Sequence, residues 1–161
     1  MKTKSKEEEN MKKWIAMVLA AAALFSLTAC GSKEKTADME AVYAKFQDSL
    51  PEMYQMDEET MLNYMGIDAA DCRQAVVAVA SDGLRADEVW LIEAKDADAL
   101  ARLKALAESR LKNKEDETVQ YAPEQYAVVT AAQLVTEGKN LALLVSPEAE
   151  GLKSMFEAAL K

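Results

Sequence analysis

No histidine occurs anywhere in the 161 residues. Its absence removes the commonest general base, the commonest transition-metal ligand and the simplest near-neutral pH switch. Ser–His–Asp and Cys–His catalysis within one chain are excluded with it. Cysteine is almost missing, with Cys30 and Cys72 alone. Only five glycines are present, and none forms part of a Gly-rich phosphate loop. There is no basic excess either, because the formal net charge is −9. Without residues 1–29, which hold five Lys and three Glu, the remainder carries 14 basic and 25 acidic groups. Such a domain repels nucleic-acid phosphates and anionic headgroups, so no nucleic-acid partner is expected. The uncharged run Trp14 to Leu27 is shorter than the about 20 residues a spanning helix needs.

What remains suffices for one folded domain. Half of the chain is apolar and 29% is charged, so a core can form and extended disorder is not expected. The uncharged run itself follows Lys12 and Lys13 and ends in small residues, the layout of a secretory signal peptide. The three glutamates of "MKTKSKEEEN" are unusual in such a leader, and Met11-Lys12-Lys13 is a more ordinary start. The segment closes on Leu27-Thr28-Ala29-Cys30, followed by Gly31 and Ser32. That order resembles the lipobox of bacterial lipoproteins. The resemblance implies diacylglyceryl transfer to the Cys30 sulfur and cleavage just before it. Two acyl chains suffice for stable anchoring, at about 0.8 kcal/mol per buried methylene. The expected organisation is a signal peptide over 1–29, an acylated cysteine and flexible tether over 30–37, and a single domain over 38–161. The expected location is the outer face of the bacterial cytoplasmic membrane, with the bilayer as partner through Cys30.

Within the domain, Met39, Val42, Tyr43, Phe46 and Leu50 recur at helical spacing, with Asp38 as N-cap and Pro51 as stop. A second helix is predicted over 57–66, acidic in its first turn and ended by Gly66. "QAVVAVAS" (74–81) and "EVWLIEA" (88–94) read as strands. Residues 96–114 form a helix, capped by Asp96 or Asp98, with Leu100, Leu103, Ala107 and Leu111 on one face. A connection over 115–125 leads to a strand read over 126–136, a turn at Glu137 to Asn140, and the apolar strand "LALLVS" (141–146). Ser146 and Pro147 open a last helix. The order is ααββαββα. It predicts an α+β fold: a four-stranded, mostly antiparallel sheet with helices on one face. Laying "LIEAKDADALARL" on "LLVSPEAEGLKSM" suggests a duplicated ββα unit, with Leu91 over Leu143 and Leu100 over Leu152.

Several short motifs occur together. They are Gly66-Ile67-Asp68, Ala86-Asp87-Glu88 before a strand, Tyr121-Ala122-Pro123-Glu124-Gln125-Tyr126, and the Gly138-Lys139-Asn140 turn. With the lipobox, this set resembles the DUF 4358 family of small, mostly Gram-positive lipoproteins. The resemblance, over about Asp38 to Leu160, implies export and a compact domain. It supplies no catalytic residues.

Signals for chemistry are few. The acidic groups at Asp57-Glu58-Glu59, Asp87-Glu88, Asp96/Asp98 and Glu115-Asp116-Glu117 read as helix starts or solvated turns. "DADALARL" lacks the glycine and distal glutamate of an EF-hand loop, so neither a metal site nor a cofactor is expected. Cys72 leads into an apolar strand and reads as a small buried residue. Trp90, Tyr121 and Tyr126 are the candidate binding residues, the tyrosines because they flank Pro123 in a connection. The expected role is a non-enzymatic binding module for an envelope protein or peptide. The alternatives are a carboxylate- or metal-dependent envelope enzyme and a purely structural envelope lipoprotein.

Overall fold

The computed structural model describes residues 35–160. The expected signal peptide over 1–29, Cys30 and the expected tether up to residue 34 lie outside the described residues. The first helix, α1, spans Met39–Phe46 and starts where the Asp38 carboxylate accepts the Ala41 N–H at 3.1 Å. A short 3₁₀ turn, Gln47–Ser49, carries the chain to Pro51. Strand β1, Met53–Gln55, follows. Helix α2 is a single α-turn, Glu58–Thr60, that widens into a π-turn at Met61–Met65. Asp57 caps its start, and Gly66 ends it at φ +71°. A side chain there would be strained in that left-handed conformation, and its Cβ would sit 3.4 Å from Leu106.

Strands β2 (Cys72–Ala80) and β3 (Glu88–Ala94) form an antiparallel hairpin. Helix α3 then runs the 25 residues Ala97–Tyr121, capped by Asp96, and breaks at Ala122. Pro123 opens α4, Pro123–Thr130, from its first turn, where the missing N–H carries no cost. Strands β4 (Gln133–Glu137) and β5 (Asn140–Val145) form a second hairpin, with Gly138 at φ +61° in the two-residue turn. Helix α5, Ala149–Ala159, closes the described chain after the Ser146 hydroxyl accepts the Glu148 N–H. Among the described residues, no helix is long and apolar enough to cross a membrane.

The sheet corrects the predicted architecture. It has five strands, ordered β1-β2-β3-β5-β4, and every neighbouring pair is antiparallel. The additional strand, β1, is three residues without a β-branched side chain; it exists because Met53 to Gln55 pair with Ala80 to Ala78. Strands β3 and β4 run parallel, but β5 lies between them, so no direct parallel pair forms.

Helices cover both faces of this sheet, against the expected one. Val76, Ala78, Val89, Leu91, Ala142 and Leu144 pack with Met39, Phe46, Leu152 and Phe156 of α1 and α5. The alternate residues Val77, Trp90, Ile92, Leu141, Leu143 and Val145 pack with Met61, Leu103, Ala107 and Val129 of α2, α3 and α4. Central strands β3 and β5 are buried throughout, as strands covered on both sides must be. The two faces also remove the duplication. Leu91 and Leu143 point to opposite sides, and α3 and α5 pack on opposite sides. Truncating the fully buried Phe156 to Ala removes a core wedge of the kind worth about 3–5 kcal/mol.

Two segment readings also change. Residues 115–121, read as connection, continue α3, and residues 126–130, read as strand, belong to α4. Val128 and Val129 suit a strand locally, but Pro123 starts a helix and Val129 is buried against the sheet through it.

Candidate functional site

At the Glu88 end of β3, α3 crosses the sheet and brings two cations onto a buried carboxylate. Glu88 has no solvent exposure. The Arg110 guanidinium meets it as a fork: Nε donates to both oxygens at 3.1 Å and Nη2 to Oε2 at 2.9 Å. Lys114 Nζ lies 3.0 Å from Oε2 and donates to the Ala86 carbonyl at 2.9 Å. Trp90 Nε1 donates to Oε1 at 2.8 Å. Burial pulls the Arg110 guanidinium toward losing its proton, but the Glu88 hydrogen bonds and charge outweigh this, and its pKa lies above the ordinary value.

Asp87, one residue before, is 1% exposed. Its Oδ2 accepts from Arg85 Nε at 3.1 Å, while Oδ1 is buried with no hydrogen-bond partner among the described residues. The reading of Asp87-Glu88 as a solvated turn is therefore corrected: both carboxylates are buried. A signal for this existed in the sequence. Leu103, Ala107, Arg110 and Lys114 continue one helical stripe, so two cations sit where apolar residues would be expected to pack.

Above this cluster lies an open cleft of about 550 Å³. Its lining includes the charged residues Arg85, Asp87, Arg110 and Lys114 together with Met56, Met65 and the paired strand residues Val79 and Ala80. Three large apolar side chains stand at its edge from three separate elements. They are Tyr64 of the π-turn, Leu84 of the β2–β3 loop and Tyr121 at the α3–α4 break, at 78%, 85% and 85% exposure. Each is placed by backbone chemistry. Tyr64 lies within the π-turn Met61–Met65, a wider turn than that of an α-helix, and is exposed there. Asp82 accepts the Leu84 N–H at 2.9 Å and shapes the loop. Gln125 Oε1 accepts the Ala86 N–H at 2.7 Å and ties the start of α4 to the strand entry, which holds Tyr121 over the opening.

Of the three aromatic candidates, Tyr121 lines the cleft, Tyr126 sits on α4 outside it, and Trp90 is wholly buried beneath it as the donor to Glu88. Tyr64, Leu84, Asp87 and Arg110 were not among the predicted site residues.

A second charged cluster lies at the other end of β3. Asp71 accepts a two-point contact from Arg102, at 2.9 and 2.7 Å, and pairs with Lys95 at 3.0 Å. The Arg102 hydrogen bonds, then those of Lys95, hold its carboxyl well below the usual carboxylate range. Cys72 beside it is partly buried, and desolvation first, then the Asp71 and Asp68 charges, push its thiol up to about 11. It is thus a protonated, poorly nucleophilic thiol at neutral pH. Among the described residues, no three His, Cys, Asp or Glu side chains gather as metal ligands would.

A family model described as Domain of unknown function (DUF4358) matches residues 45–146. That span runs from the end of α1 to the end of β5, and it holds the whole sheet and every residue of the cleft. No curated protein and no solved structure matches the chain.

Proposed function

The chain belongs to the DUF4358 family, and because that membership names no activity we propose from its own residues that it is a binding module held outside the cytoplasmic membrane by lipid on Cys30. The anchor rests on the sequence: a positive flank, a short apolar run and Leu27-Thr28-Ala29-Cys30. The binding role rests on one observation. Tyr64, Leu84 and Tyr121, exposed side chains from three distant parts of the chain, converge on one cleft. Isolated exposed apolar residues are ordinary, but three gathered over one concavity mark a contact surface. The cleft's ionic groups are already engaged with one another, which suits recognition better than proton transfer.

Two measurements test this reading. Cys30→Ala is expected to abolish lipid mass on the mature N-terminus and to leave the precursor unprocessed or the domain released. Unchanged processing and membrane association would reject the anchor. For the cleft, a photo-reactive phenylalanine analogue replacing Tyr121 in native cells is expected to form a discrete adduct that the same analogue at Lys104 does not. Identical labelling from both positions would reject the cleft as the contact surface.

A further inference from the structure

We propose that the outer edge of β4 is a self-association surface, where β4 of a second copy pairs with it antiparallel about a two-fold axis through Val135. The inference is independent of the cleft. It starts from the sheet order, β1-β2-β3-β5-β4, which leaves β1 and β4 each with one unpaired side. Bond alternation tells which groups of β4 point outward. The Ala94 N–H donates to the Lys139 carbonyl at 2.9 Å, so the odd-numbered residues of β5 turn to β3, and Asn140, Ala142 and Leu144 turn to β4. Their partners Glu137, Val135 and Gln133 are thereby engaged. Leu134 and Thr136 present their backbone N–H and C=O groups to the open side. Among the described residues, no hydrogen bond reaches those groups.

The two edges of the sheet are not equivalent. Strand β1 is three residues long, follows Pro51 closely and has the Gln55 side chain tied to Glu40. Short strands and prolines protect an edge from pairing. Strand β4 has five residues, no proline, no lysine and no irregularity in its register with β5. Its Leu134 and Val135 are only partly buried, and Thr136 is exposed. Open space of about 490 Å³ lies beside it, lined by Val135, Thr136, Glu137, Lys35 and Glu157.

A second copy fits this edge in register. Leu134 and Thr136 lie two residues apart. A two-fold axis at Val135 therefore sets Leu134 opposite the second copy's Thr136 and bonds both such pairs through their outward groups. Val135 meets its own counterpart across the axis, on the face that β4 shares with α1 and α5. Glu137, already paired with Lys35, faces the second copy's uncharged Gln133, so no like charges are directly opposed. This match of register and charge favours β4 itself over an unrelated strand. One strand seam is small against the roughly 1,200 Å² at the lower end of stable interfaces. A concentration-dependent dimer is expected, not an obligate one.

The test uses the full-length chain, purified in detergent and also expressed in cells. In a Cys72→Ala background, Val135→Cys is expected to form a disulfide with its own counterpart on mild oxidation, measured against the Cys72→Ala parent. Cα atoms of a non-hydrogen-bonded pair lie about 4.5 Å apart, within disulfide reach. Leu134→Cys mixed with Thr136→Cys should crosslink at least tenfold more than either alone. Thr136→Lys charges the edge without removing a bond to β5, and should reduce the Val135→Cys crosslink at least tenfold at unchanged circular dichroism. Sedimentation equilibrium of the unsubstituted chain should show the mass rising from one chain toward two with concentration, a rise that Thr136→Lys removes. A monomer throughout, no Val135→Cys dimer, or a crosslink that Thr136→Lys leaves intact overturns the proposal. Capture of a different protein by Val135→Cys in cells, in place of its own counterpart, also overturns it and assigns the edge to a foreign strand.

Discussion

Strand β3 carries a glutamate near each end, and the two have opposite surroundings. Glu88 faces α3 and is sealed under Arg110, Lys114 and Trp90. Glu93 faces the other side of the sheet, where it accepts from Gln74 Nε2 at 2.9 Å and Arg73 Nη1 at 3.3 Å. Arg73 is about half exposed there, whereas Lys114 is nearly buried. Beyond Glu93 the charged groups Asp71, Lys95 and Arg102 form a surface cluster. Beyond Glu88 lies the cleft with its unpartnered Asp87 oxygen. Residue type alone does not make a site. Both carboxylates are buried, but Glu93 is held by Gln74 and a half-exposed Arg73, whereas Glu88 is held by two cations that line a cleft.

The sharpest way to break this contrast is Glu88→Ala. It leaves the nearly buried Lys114 and the partly buried Arg110 without their carboxylate, and about 3 kcal/mol of stability should be lost in urea unfolding. A loss below about 1 kcal/mol would mean that the pair is solvated and the contrast is false. Glu93→Ala should cost less, about 1–2 kcal/mol, because Gln74 keeps the Ala37 carbonyl as acceptor and the Met39 N–H as donor to its oxygen. Equal losses for the two variants would erase the difference between the ends.

Smaller still is the effect of Asp71. Its folded pKa is depressed, so its contribution is present above the ordinary 3.8 and fades as pH falls through the folded value. Asp71→Asn should therefore lower Tm modestly at pH 7, where the carboxylate's contribution is complete, and flatten the acid limb, so that the two curves converge below about pH 4. An unchanged acid limb would show that Arg102 and Lys95 do not hold it. The thiol of Cys72 runs in the opposite sense. Its folded pKa is raised, so its contribution is complete below 9.0 and lost as pH rises toward about 11. Alkylation by iodoacetamide should be slow at pH 7 and accelerate only in that alkaline range. Rapid modification at pH 7 would show an accessible thiolate.

How much of this was legible depends on the range of the force involved. Caps at Asp38, Asp57 and Asp96, the left-handed Gly66 and the Gly138 turn act within a few residues, so their signals stand in the sequence. Strand β1 was hidden because three residues flanked by a proline and a helix carry no pattern; pairing with Ala78 to Ala80 makes them a strand. Residues 126–130 were misread because two valines outweighed a proline at the helix start. Tyr121 was readable as an aromatic beside a break. Its partners Tyr64 and Leu84 were not, since they lie far from it in sequence.

The sequence by itself determined the absence of histidine chemistry, the acidic balance, the lipobox-like segment and most helix ends, because composition and local hydrogen bonding need no distant partner. Tertiary structure alone decided which carboxylates are buried, which sheet face each helix covers and which exposed side chains share a cleft. Those outcomes depend on α3 laying Arg110 and Lys114 across the start of β3, a contact between residues more than 20 positions apart.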